Sequence, residues 1–157
     1  MVEEFKTLRD DEIEVLLNAP VLVSVLIAGA DDKIDKDEIA QAVEIANSKQ
    51  ARAREQLIEY YREVGKDFQA KFEKYVAEMP ENASARSEAI TAELRKLNFI
   101  LPKVDRNFAI KLYASLRDMA KKVAEASGGI LGYMSVSYEE AKLMELQMIE
   151  DPEKYEI

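Results

Sequence analysis

The feature that most constrains this chain is the junction between an apolar stretch, Ala19 to Ala30, and the acidic run Asp31-Asp32-Lys33-Ile34-Asp35-Lys36-Asp37-Glu38. The apolar stretch is about a dozen residues, short of the ~20 that a membrane span needs. Leu22, Val23, Val25, Leu26 and Ile27 surround a helix rather than forming one stripe, and a helix apolar on every side belongs at the centre of a domain. Pro20 suits the first turn of such a helix, so the expected element is Pro20 to Ala30, after a first helix over Asp10 to Leu17 carrying Ile13, Leu16 and Leu17 inward. The acidic run then has to form a turn leading out of the core.

Beyond that turn the pattern stays helical. Asp35 followed three residues later by Glu38 has the spacing of an N-cap with its reciprocal partner, and Ile39, Val43 and Ala46 follow at i, i+4 and i+7. Asn47-Ser48 is a candidate break. From Gln50 to Met79 one stripe persists: Leu57, Tyr61, Val64, Phe68, Phe72, Tyr75 and Met79. At 100° per residue they keep to one sector across Gly65, which predicts a single helix roughly 45 Å long. Gly65 costs about 1 kcal/mol relative to Ala there and would mark a bend.

Pro80-Glu81-Asn82 closes that helix and Ser84 is placed to cap the next, whose face is Ile90, Leu94, Leu97 and Leu101, stopped by Pro102. Asp105 caps a helix expected to run to Ser127 with Phe108, Leu112, Leu116, Met119 and Val123 inward, and Gly128 or Gly129 would end it in a left-handed C-cap. A last helix starts at Ser137, boxed with Glu140, and ends near Asp151-Pro152. Only 5 Gly and 4 Pro interrupt 157 residues, and no segment alternates in the manner of a strand, so the fold class is all-α with about seven helices. Without a linker or low-complexity segment, residues 1–157 read as one domain.

Composition excludes several chemistries. The chain has no Cys and no His, which removes thiolate zinc sites, haem ligation, Glu-x-x-His di-iron sites and His-based acid–base catalysis. With 31 acidic against 22 basic residues the formal charge is −9, which opposes docking on phosphate backbones, so no nucleic-acid partner is expected. No membrane partner is expected either. The amino terminus, Met1-Val2-Glu3-Glu4-Phe5-Lys6, has no basic segment leading into an apolar one, which makes the cytoplasm the expected location. Gly128-Gly129-x-x-Gly132 lacks the Gly-Lys-Ser/Thr of a phosphate loop. Its neighbours Ile130, Leu131, Tyr133 and Met134 suit either the core or a patch for a partner. Lys49, Arg52, Arg54 and Arg62 read as a solvated basic face, and Tyr60, Tyr61 and Tyr75 as core and rim.

The acidic turn has a looser counterpart. Ile27-Ala28-Gly29-Ala30-Asp31 aligns with Val123-Ala124-Glu125-Ala126-Ser127, and Ile34-Asp35-Lys36-Asp37-Glu38 aligns with Val136-Ser137-Tyr138-Glu139-Glu140. This rhythm resembles the tellurite-resistance TerB-like family, over roughly Asn18 to Ala46 and Leu116 to Ile149. The resemblance implies a duplicated helical fold, with related halves of roughly 18–46 and 116–149 joined through the long helix. It also implies a divalent-cation site in the acidic turn and a stress-related role. The family's usual turn is Asp-Gly-x-Ile/Val-Ser/Asp-x-x-Glu; here Asp32 stands in place of the glycine, and Ser127 in place of the second turn's first Asp, so no second site is expected.

The metal ligands expected are therefore Asp31, Asp35 and Glu38, with calcium or magnesium bound weakly. An EF-hand alignment puts Ile27 and Gly29 at its first and third positions, where neither side chain supplies the oxygens a calcium loop needs. Asp35 and Glu38 serve equally as a helix cap without an ion. The function expected is that of a non-enzymatic TerB-like protein. The alternative is a helical protein–protein interaction module using the glycine-rich apolar loop or the long helix, with an unidentified protein partner.

Overall fold

The computed structural model describes residues 2–28, 36–52, 55–135 and 143–155. Seven α-helices and three 3-10 turns make up these residues, with no strand among them. The helices are α1 (Asp10–Ala28), α2 (Lys36–Arg52), α3 (Glu55–Gly65), α4 (Phe68–Glu78), α5 (Ala83–Arg95), α6 (Leu97–Ile100) and α7 (Arg106–Ser135). The all-α class expected from the hydrophobic periodicity is found.

α1 is the central element, as its composition requires. Every residue from Ala19 to Ala28 is buried, and α1 packs against all six other helices. It differs from expectation in being one helix, with Pro20 inside it rather than at the start of a second. An interior proline has no N–H for the carbonyl four residues back, here Leu16. The hydroxyl of Tyr60, fully buried on α3, donates to the Leu16 carbonyl at 2.5 Å and supplies the missing bond. The Pro20 carbonyl in turn accepts from Ser24 Oγ at 2.8 Å. Tyr60 is locked by edge-on contacts with Tyr61, ring centroids 5.1 Å apart, and with Phe108 on α7 at 6.0 Å.

The single helix expected over 50–79 is divided. α3 ends at Gly65, Lys66 and Asp67 form a turn, and α4 restarts at Phe68. Asp67, at φ −139° and ψ 21°, leaves the helical region. The stripe nevertheless faces inward throughout: Leu57, Tyr61, Val64, Phe68 and Phe72 are buried, and Tyr75 and Met79 pack against them half-buried. At the other candidate break, Asn47-Ser48, α2 runs on to Arg52.

Further differences come from local capping and from the glycines. Asn82, not Ser84, caps α5, its side chain accepting from the Ala85 N–H at 3.0 Å. The helix expected up to Pro102 ends at Arg95 and continues as α6 and a 3-10 turn, Leu101–Lys103, that contains the proline. Asp105 caps α7 as expected, accepting from the Phe108 N–H at 3.0 Å, and the inward set Phe108, Leu112, Leu116, Met119 and Val123 is buried. α7, however, continues through Gly128 and Gly129 to Ser135, where a glycine C-cap and a loop were expected. Helical bonding continued along the backbone outweighs the roughly 1 kcal/mol that each interior glycine costs. The final helix does not reach Asp151: residues 145–149 form turns, and Pro152–Lys154 is a short 3-10 turn.

Candidate functional site

Of the expected ligands, Asp31 and Asp35 lie outside the described residues. Glu38 falls in the first turn of α2, its side chain outside them too. The second acidic turn, Ser137 to Glu140, and the side chains of Ile130, Leu131, Tyr133 and Met134 lie outside as well. The flanks of the first turn are described. α1 ends at Ala28 with no basic residue in its last turn, and α2 begins at Lys36, one residue after the expected cap Asp35. Among the described residues no group of three or more acidic side chains is placed to hold a metal ion.

The most developed charged arrangement is centred on Asp118 of α7. Its carboxylate pairs with Lys49, from α2, and with Lys122, one turn along α7 at 3.1 Å. Partial burial works against its ionisation, but the hydrogen bonds from the two lysines outweigh it, and the carboxyl is held below its usual range. The Lys49 side chain is only 13% exposed, so it belongs to this pairing and not to a solvated basic face. Beside it, Tyr61 Oη and Ser115 Oγ share a hydrogen bond, and burial raises the Tyr61 phenol so that it stays neutral.

Next to Asp118 an open groove of about 450 Å³ is lined by Ala114, Arg117, Asp118, Lys121, Met144 and Glu145. One wall is α7 and the other is the start of the C-terminal segment. Arg117 lies over the Tyr113 ring at 5.5 Å, which fixes its guanidinium while leaving its charge unneutralised by the ring. Asp118 is held charged, which does not suit proton transfer near neutral pH. The groove's lining carries charges of both signs, Arg117 and Lys121 against Asp118 and Glu145.

The C-terminal segment is held by scaffold side chains acting on its backbone. Asn98 on α6 donates through Nδ2 to the Met148 carbonyl at 2.9 Å and accepts from the Glu150 N–H at 2.7 Å. Tyr113 Oη donates to the carbonyls of Glu145 and Leu146 at 3.2 and 3.4 Å, and Arg106 donates to the Glu153 carbonyl at 2.9 Å. Leu146 is fully buried with φ 51°, a left-handed conformation that costs a non-glycine residue about 1–2 kcal/mol. Burial of its side chain and the Tyr113 bond hold it there.

A third arrangement anchors the start of α1. Glu12, 5% exposed, accepts from the Arg9 N–H at 3.0 Å and from Lys103 Nζ at 2.6 Å. These bonds, the backbone one first, lower its carboxyl pKa.

Sequence reasoning did not single out Asp118, Asn98, Tyr113 or Glu12. The i,i+4 spacing of Asp118 and Lys122 and the Arg9–Glu12 spacing were available signals. Lys49, 69 residues from Asp118, and Asn98, 50 residues from Met148, give none. No family model, curated protein or solved structure matches the chain. No helix among the described residues is long and apolar enough to cross a membrane.

Proposed function

We propose that this chain is a non-enzymatic, cytoplasmic, TerB-like protein that binds a divalent cation weakly in the acidic segment between α1 and α2. The observation that supports this reading is the end of α1. A helix C-terminus carries partial negative charge and orphan carbonyl oxygens, normally offset by Lys or Arg in the last turn. α1 has none there. The residues that follow instead add Asp31, Asp32 and Asp35, with Asp37 and Glu38 opening α2. A hard cation with oxygen ligands relieves that charge, and the α1 carbonyls offer oxygens that the side chains of Ile27 and Gly29 lack. Asp31, Asp35 and Glu38 are the side-chain ligands in this reading, calcium or magnesium the cation. The stress-related role follows from the family resemblance.

Calorimetric titration of the full chain with calcium tests it. A saturable heat is expected with affinity of about 10⁻⁴–10⁻³ M, the range of sites with few ligands. It should vanish in Asp31→Ala, and thermal stability should rise with calcium in the unsubstituted chain only. No heat, or the same heat in Asp31→Ala, removes the metal reading and leaves the protein–protein interaction module as the better one.

A further inference from the structure

The last described residues, 145–155, contain no α-helix or strand beyond the short 3-10 turn Pro152–Lys154, yet scaffold side chains bond five of their backbone groups. Their own backbone bonds are short-range turns, Leu146 to Leu143 and Ile149 to Leu146. Asp151 to Tyr155 adds a second short-range turn, with Lys154 bonded to Asp151 and Tyr155 to Pro152, and side chains of the scaffold bond the backbone between and around these turns. Asn98 engages one carbonyl and one N–H of the segment with a single amide, the way a neighbouring strand would, and Tyr113 and Arg106 engage three more carbonyls. Between these bonds Leu146, Ile149 and Pro152 are buried as apolar anchors, and the turn holding Pro152 packs on α7. Backbone bonds for affinity and spaced apolar pockets for register are the elements by which a protein surface recognises an extended peptide.

We propose that this face of α6 and α7 is a peptide-binding slot that the chain fills with its own C-terminal segment, and that the same segment from a second copy is captured there in trans. The slot reads backbone through Asn98 and Tyr113, so it does not depend on the segment being covalently attached. The left-handed Leu146 is the weak point of the docked state, because its conformation costs free energy that burial of its side chain and the Tyr113 bond offset. Attachment makes the segment its own competitor, at an effective concentration of about millimolar. Release also removes Met144 and Glu145 from the wall of the groove beside Asp118, which links the slot to that groove.

A labelled peptide of residues 143–155, titrated against the full chain and its Leu146→Ala variant with anisotropy as readout, tests this. Loosening the attached segment frees the slot, so the variant should capture the peptide at least about tenfold more tightly than the unsubstituted chain. Adding Asn98→Ala to that variant should abolish capture, although both substitutions weaken the same docking. A peptide carrying Leu146→Asp should not be captured by any chain. If circular dichroism finds the Leu146→Ala chain unfolded, Ile149→Val carries the same comparison with a smaller ratio. Equal affinity of the two chains, equal capture of the two peptides, or no saturation up to millimolar peptide overturns the proposal.

Discussion

Two interruptions in the helical pattern, Pro20 and the Gly65–Asp67 segment, resolve in opposite ways. At Pro20, the strongest helix breaker of the set, α1 continues unbroken; at Gly65, where one apolar face predicts a continuous helix, the chain turns. The difference is the environment. Pro20 is buried on the central helix, and the Leu16 carbonyl it orphans meets the Tyr60 hydroxyl. A buried carbonyl left without a donor would cost about 1–3 kcal/mol, and the partner from α3 removes that cost. Lys66 and Asp67 are exposed, the Lys66 N–H bonds the Glu63 carbonyl and the Asp67 carbonyl accepts from the Lys71 N–H, so a turn there costs little while Phe68 and Phe72 stay in the core. Whether a helix survives a breaker depends on what lies opposite it.

The largest effect should come from removing the turn. Deleting Lys66 and Asp67 fuses α3 to α4 and, at about 100° per residue, swings Phe68 and Phe72 by roughly 200° away from the core. Losing two buried aromatics, at about 3–5 kcal/mol each, approaches the whole stability of a domain this size. Chemical denaturation should then show no cooperative transition. A cooperative transition near that of the parent would mean that the turn is dispensable.

Next comes Tyr60→Phe, expected to cost about 1–3 kcal/mol because the Leu16 carbonyl stays buried without its donor. The comparison sharpens in a Pro20→Ala background. There residue 20 has an N–H for Leu16, and Tyr60→Phe should cost under about 1 kcal/mol. Equal costs in both backgrounds would break the link between Pro20 and Tyr60.

The same joint should respond to alkali. Burial raises the Tyr60 phenol well above its usual value, with Tyr61 beside it adding to the effect. A raised folded value means stability that is complete below the unfolded value of about 10 and falls as pH rises past it, since only the unfolded chain then ionises. Tyr60→Phe should flatten that fall. At the start of α1 the sign reverses, because the folded carboxyl of Glu12 is depressed. Its contribution is present above about pH 4.5 and is lost as pH drops through the folded value. Denaturation midpoints from pH 6 down to about pH 3 should decline less in Glu12→Gln than in the parent. Parallel declines would show that Glu12 is not part of the acid response.

The smallest effect should be at the turn's own side chain. Asp67 makes no capping bond, and its contact with Lys71 is long at 3.5 Å and exposed. Asp67→Ala should shift stability by no more than about 0.5 kcal/mol. A larger loss would mean that the side chain, and not solvent exposure, sets the break.

What the sequence determined by itself was the set of faces turned inward. The apolar centre of α1, the stripe from Leu57 to Phe72 and the α7 set from Phe108 to Val123 were all legible, because a 3.6-residue period and burial are local properties of the chain. The Asp105 cap was legible for the same reason, its partner lying three residues away. For the expected cation site only the flanking helices were legible in a form the structure describes, α1 ending at Ala28 and α2 starting at Lys36. Tertiary structure alone decided whether helices ran on or stopped, and which polar groups met. Tyr60 reaches Leu16 across 44 residues, Lys49 reaches Asp118 across 69 and Lys103 reaches Glu12 across 91. Each of those bonds depends on how packed helices bring distant positions together, and no periodicity along the chain encodes that distance.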